Sequence, residues 1–201
     1  MNFQFAVKDF LGTLPGTAEL YWNLRQRRRY IDAVGAMDLS QLQDALPQWI
    51  ADAEKCKTEN TNGKKIFIFG MIRHWIRFST LLSLALAAQG HEVTLAHLPY
   101  AKWREEKNRF DLRRQDLYVK EVLKPIEKLV KPISVYSDVK SKAKINEGLQ
   151  KRYERSAYFD TQYALLLEEI DTESDLYQLR LKRNKEALQK LVAYFRENRP
   201  D

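Results

Sequence analysis

The sequence predicts an α/β fold built on a parallel sheet with helices on both faces, and three stretches of chain predict it. The run Lys64-Lys65-Ile66-Phe67-Ile68-Phe69-Gly70 is apolar at every position from Ile66 to Phe69, the pattern of a strand covered on both sides. Behind it the period changes. Phe78, Leu81, Leu82, Ala85 and Leu86 recur at helical spacing, and Gly90 supplies a residue able to take positive φ just past the helix end. His91 to His97 is a second β-rich run, so residues 64–97 form a strand-helix-strand unit of the usual size, about 30 residues.

The remaining elements follow in order. Residues 3–50 read as helices with breaks: Pro15-Gly16 interrupts, Gly35 punctuates, and Asp38 caps a segment through Leu39, Leu42 and Leu46. Thr58 to Gly63 is small, polar and turn-prone, which marks a linker. The expected organisation is an N-terminal helical extension, residues 1–62, followed by a sheet-bearing part, residues 63–201. From Tyr100 to Lys131 the chain is charged and helical, a helical insertion with Leu117, Val122, Leu123 and Ile126 available for packing and Pro125 kinking or restarting it. Ile133 to Tyr136 reads as a third strand, and Ile145 to Ile170 as a long helix bearing Tyr153, Tyr158, Phe159 and Tyr163. A last helix runs from Ser174, read as its N-cap, to Asn198. Arg199-Pro200-Asp201 is then a helix exit of the kind that feeds a strand. Two readings stay open on this feature: a chain cut short at 201, or a docked helix closing a domain.

Composition narrows the class. The chain is 44% hydrophobic, enough to bury a core, and its longest nearly apolar run, Leu81 to Ala88, is far too short to span a bilayer. No signal peptide opens it, so the cytoplasm is the expected compartment. The single cysteine, Cys56, excludes an internal disulfide framework and a thiolate metal cluster. Net charge is +7, and residues 64–132 hold 14 Lys and Arg against 7 Asp and Glu. A positive middle section suits a phosphate-bearing ligand, an anionic membrane surface or nucleic acid. Phe3, Phe5, Phe10, Leu11 and Leu14 together with Arg25, Arg27, Arg28 and Arg29 suit either a membrane surface or an ordinary helical appendage.

In an open parallel sheet, ligands bind beyond the carboxyl ends of the strands, so the loop after Phe69 is the first place to look for a site. It reads Gly70-Met71-Ile72-Arg73-His74-Trp75-Ile76-Arg77. One glycine in place of three excludes a dinucleotide fingerprint, and the absence of Gly-Lys-Ser/Thr excludes a P-loop. Arg73 and Arg77 bring two guanidiniums to a helix entrance whose backbone N–H groups already favour an anion. His74 is either a third phosphate contact, a general base, or a capping residue, and His97 at the end of the second strand is a further candidate to line the same crevice. Trp103 and the tyrosines of the long helix offer stacking platforms, or core packing. No metal-binding motif is present, and no metal or organic cofactor is expected.

The order Lys-Lys-Ile-Phe-Ile-Phe-Gly, loop, apolar helix Leu81 to Ala88, then Gln89-Gly90-His91-Glu92-Val93-Thr94 resembles the start of GT-B glycosyltransferases, over residues 64–98. The resemblance implies a Rossmann-like N-terminal, acceptor-binding half, with Gly70, Arg73, Arg77 and His97 as acceptor or phosphate contacts and His74 as catalytic base. It also implies a chain truncated at 201, because a strand commonly follows such an Arg-Pro-Asp exit in that family. The expected partners are a glycan or lipid-linked acceptor and a nucleotide-sugar donor held by a missing C-terminal half. The elaborations before Thr58 and after Tyr100 look similar to those of bacterial polysaccharide-synthesis members, which implies contact with the inner membrane surface. Nucleic acid is not an expected partner. Two rivals remain: a non-catalytic Rossmann-like module for a phosphorylated ligand, and a basic helical scaffold for nucleic acid or protein.

Overall fold

The computed structural model describes residues 3–25, 33–58, 62–102 and 104–201. Arg27, Arg28, Arg29 and Trp103, and the centre of the Thr58–Gly63 segment, lie outside the described residues. The chain divides into two compact units. One holds residues 1–102, 107–138 and 200–201, and the other holds 103–106 and 139–199.

The first unit is α/β. Strands β1 (Lys65–Gly70), β2 (Glu92–His97) and β3 (Lys131–Ser134) form one parallel sheet in the order β1-β2-β3. Helices α1 (Phe3–Thr13), α2 (Thr17–Arg25) and α3 (Ser40–Lys55) precede it, α4 (Arg73–Ala88) joins β1 to β2, and α5 (Arg109–Leu123) joins β2 to β3. Ile66 and Ile68 of β1 and Val93 and Leu95 of β2, alternate residues on one face, meet Leu42 and Leu46 of α3, Ile76 and Leu84 of α4, and Tyr118 and Val122 of α5. Burial of these side chains is what holds the helices to the sheet, at roughly 1.5–3 kcal/mol for each one fully covered. Phe67 and Phe69, half-buried, lie on the other face.

Gly90 takes φ 84° at the end of α4, where its N–H closes on Ala87 O and the chain turns into β2. β3 begins two residues before the stretch expected from sequence. Pro132 is accommodated because β3 is an edge strand, where a missing N–H leaves no ladder bond broken. The charged stretch expected as an insertion is the crossover helix of a second strand-helix-strand unit. Its apolar residues Tyr118, Val119, Val122 and Leu123 are all buried, and it stops where Pro125 breaks the helix into a short 3-10 turn, Lys124–Ile126. Asn108, not anticipated as a cap, accepts the Asp111 N–H at 2.8 Å and starts this helix.

The residues expected as a separate N-terminal extension belong to the same unit as the sheet. Trp22 of α2 packs edge-on against Tyr118, and Arg113 of α5 donates to Gly12 O at 3.1 Å and Leu14 O at 2.6 Å. Thr58, expected to open a linker, is fastened to the end of α4 by its N–H to Ala88 O at 2.8 Å. Asp201 returns to the sheet: its N–H donates to Lys65 O at 3.1 Å and its Oδ2 accepts the Lys65 N–H at 2.6 Å. The neighbouring Lys64 O accepts from Glu92 on β2, so Asp201 sits on the edge of β1 away from β2.

The second unit is a pair of helices, α6 (Glu147–Leu165) and α7 (Asp175–Glu197). Asn146 caps α6 by accepting the Leu149 N–H at 2.8 Å. Ser174 occupies the N-cap position of α7, but its hydroxyl donates to Asp171 O at 2.6 Å instead of accepting from the helix. Tyr158 and Tyr177 pack edge-to-face across the pair, and Arg180 is buried against the Asp160 carboxylate.

Candidate functional site

β1 ends at Gly70 and α4 begins three residues later, a tight strand-to-helix turn. A Cβ at Gly70 would sit 3.2 Å from Ile76 Cα and 3.3 Å from Ser79 Oγ, so glycine is what lets the first turn of α4 lie directly over the strand end. That turn carries Arg73, His74 and Arg77 outward, while Ile76 is fully buried between them. The N-cap residue of α4 is Ile72, which offers no side-chain oxygen to the first-turn N–H groups.

Facing this helix entrance is another. α3 starts at Ser40 after Leu39, whose N–H donates to the Tyr118 hydroxyl at 2.9 Å. Between the two helix starts lies a cavity of about 260 Å³, lined by Asp38, Leu39, Ser40, Gln41, Leu42, Arg73, His74 and Arg77. Arg77 Nη1 donates to Gln41 Oε1 and ties α4 to α3 across it. The Asp38 carboxylate accepts the Ser40 N–H at 2.9 Å. Hydrogen bonds from the Ser40 backbone and hydroxyl, with a smaller contribution from the Arg73 charge, hold its carboxyl below the usual carboxylate range.

The cavity is therefore amphoteric. Two guanidiniums and two helix N-termini favour an anion, and one fixed carboxylate offers an acceptor to a hydroxyl or repels a second anion. Comparison with family models, curated proteins and solved structures finds no match. The site is read from its geometry alone.

Arg73, His74 and Arg77 thus share one cavity, and the other two candidates lie elsewhere. Gly70 is buried beneath α4 and acts through packing. His97 is fully buried at the end of β2, in register with Gly70 on one side and Ser134 on the other. Its Nε2 is 3.6 Å from Asp116 Oδ1, an ion-pair distance longer than a hydrogen bond, and among the described residues neither ring nitrogen has a hydrogen-bond partner. Asp116 is also reached by the Ser134 hydroxyl and, at 3.8 Å, by Lys120 Nζ. Burial pushes the Asp116 carboxyl up, but the His97 ring and the Ser134 and Ser137 hydroxyls outweigh it and hold the group below its ordinary value.

Sequence reasoning read Asp38 only as a helix cap and passed over Gln41. Both approach Arg73 and Arg77 from more than thirty residues upstream, and no local pattern announces that meeting. His74 stacks obliquely on Trp75, ring centroids 5.7 Å apart, and Trp75 and Phe78 stand exposed beside the cavity-lining residues of α4. His91 is half-buried and its Nδ1 accepts the Lys64 N–H at 3.1 Å. Among the described residues no three His, Cys, Asp or Glu side chains gather as a metal site.

Proposed function

We propose that the chain is the acceptor-binding half of a GT-B-type glycosyltransferase, a Rossmann-like sheet that presents a glycan or lipid-linked acceptor to a nucleotide sugar held by a further half. The observation that carries this reading is the cavity at the facing starts of α3 and α4, beyond the carboxyl end of β1, with Arg73, Arg77, His74 and Asp38 in its wall. The seat of Asp201 on the free edge of β1 fits a doubly wound sheet whose strand order reverses beside that strand, which is where such folds bind ligands.

In this reading Arg73, Arg77 and the helix N–H groups grip the phosphate of a phosphorylated acceptor, and Asp38 and Gln41 bond to its hydroxyls. The acceptor hydroxyl attacks the anomeric carbon of the donor, the nucleoside diphosphate leaves, and His74 takes the hydroxyl proton. Calorimetric titration with a sugar 1-phosphate tests the binding step. Saturable binding that falls at least about tenfold in Arg73→Ala/Arg77→Ala is expected, since each charge-assisted contact contributes about 1.5–3 kcal/mol. Binding that is absent, or indifferent to that pair of changes, refutes the assignment.

One observation favours a second reading, a module that binds a phosphorylated ligand without chemistry. Among the described residues no hydrogen bond orients the His74 ring, and a general base is ordinarily held by a partner. Unchanged sugar transfer in a His74→Gln variant of an active assembly containing this chain would favour it.

A further inference from the structure

We propose that the joined ends of α6 and α7 dock a cationic amphipathic segment of a partner protein, a role independent of the cavity and of the function assigned to it. Along α6 and just past its end, Phe159, Tyr163, Leu166 and Leu167 recur at the spacing of one helical stripe. Phe159 is 51% exposed, Tyr163 83%, Leu166 88% and Leu167 52%. Ala157 and Thr161, the buried residues of α6, lie roughly 200° around the helix from Phe159 and Tyr163, so the stripe faces away from the packed side. Four large apolar side chains exposed together mark an interaction surface, where scattered ones would not.

Leu166 takes φ 56° and ψ 42°, and among the described residues it is the one non-glycine residue in the left-handed region. Glycine or asparagine fills such a helix end at lower cost. A leucine held there and left exposed gains nothing from the core, which points to a contact made outside the chain. The loop that follows brings carboxylates to the same place. Leu167 N–H donates to Gln162 O at 3.2 Å, Gln162 Nε2 donates to Glu168 O, and Ile170 N–H donates to the Tyr158 hydroxyl at 3.4 Å. These bonds fold residues 167–170 back against the last turns of α6. Glu168, Glu169, Asp171 and Glu173 are exposed and take part in no ion pair among the described residues.

Charge selects the occupant. In a protein of net charge +7, residues 156–179 hold Asp160, Glu168, Glu169, Asp171, Glu173 and Asp175 and no Lys or Arg. An anionic bilayer or a nucleic acid would meet these carboxylates with its own negative charge, and among the described residues no helix is long and apolar enough to cross a membrane. Nor do three acidic side chains gather as a metal site among the described residues. Two copies of the chain joined through this end would set one acidic loop against the other. A partner segment with an apolar stripe flanked by lysines or arginines satisfies the leucines and the carboxylates at once.

Fluorescence anisotropy of a labelled amphipathic leucine-lysine peptide, titrated with the full chain, tests the proposal. Saturable binding that weakens in high salt is expected. A peptide with serine in place of leucine, and one with glutamate in place of lysine, should each bind at least about tenfold more weakly. Tyr163→Ser/Leu167→Ser and Glu168→Lys/Glu169→Lys should each cost the leucine-lysine peptide at least about tenfold, because these side chains are exposed and leave the docking face. Leu166→Gly should weaken binding about threefold or more while the melting temperature holds or rises, and it decides the matter if a double variant melts early. No saturable binding, equal binding of the three peptides, or any of these variants binding as the parent does overturns the proposal. So does a concentration-dependent dimer that Tyr163→Ser/Leu167→Ser dissolves, which would assign this end to a second copy.

Discussion

His97 Nε2 and Asp116 Oδ1 stand 3.6 Å apart in the interior, joined across the carboxyl ends of β2 and β3 by the Ser134 hydroxyl on the same carboxylate. The folded state holds Asp116 below its ordinary value, so its contribution to stability is present at neutral pH, above the unfolded carboxylate value of about 3.9, and is lost as pH falls through the lower folded value. Asp38, Asp111 and Glu19 are shifted the same way and add to that loss. Urea midpoints should therefore fall as the medium is taken from about pH 5 to about pH 3, and Asp116→Asn should flatten that slope while costing about 1–3 kcal/mol at pH 7.

Tyr118 holds from below the start of α3, whose first residues line the cavity. Its buried hydroxyl accepts the Leu39 N–H at 2.9 Å and the Gln43 amide at 3.1 Å, at the very start of α3. Tyr118→Phe removes the acceptor of the Leu39 N–H and should lower stability by about 1–3 kcal/mol in chemical denaturation. Hydrogen exchange should show the loosening first at Leu39 and Ser40.

If the cavity takes the proposed phosphate on Arg73 and Arg77, Asp38 in the same wall opposes it. Asp38→Asn keeps an oxygen able to accept the Ser40 N–H and removes a negative charge from the wall, so inorganic phosphate should bind several-fold tighter with the melting temperature little changed. Weaker phosphate binding in that variant would place the anion outside this cavity.

Gly12 is where α1 crosses α5, with backbone against backbone. Gly12→Ala puts a methyl group into the space of Phe110 N and Arg109 C, neither of which can rotate away. The two helices must separate, and a loss of about 1–3 kcal/mol in thermal unfolding is expected.

What could be read from the sequence was what is local. Ile66 to Phe69, the helical stripe after it and Gly90 are contiguous signals, and they gave the first strand-helix-strand unit with its turn. Arg73, His74 and Arg77 share one helix start and so were legible as a group. Asp38 and Gln41 were not, because their place opposite those arginines depends on α3 docking to α4. The crossover role of α5 was hidden by its charge, since one buried stripe is enough to seat a helix whose other sides stay wet. His97 had a local signal that went unused: Val93, Leu95 and His97 alternate on the face that the core covers, which puts the imidazole inside.

The bare backbone at Gly70 has a consequence for how this rim can change. A methyl group there would meet Ile76 Cα at 3.2 Å and Ser79 Oγ at 3.3 Å, so a substitution at 70 presses on the start of the helix that carries both guanidiniums and acts on them together. Exchanges at 38, 41, 73, 74 and 77 alter the cavity wall one group at a time. The chemistry of the cavity wall is thus adjustable at those five positions separately, with the strand terminus as their common foundation.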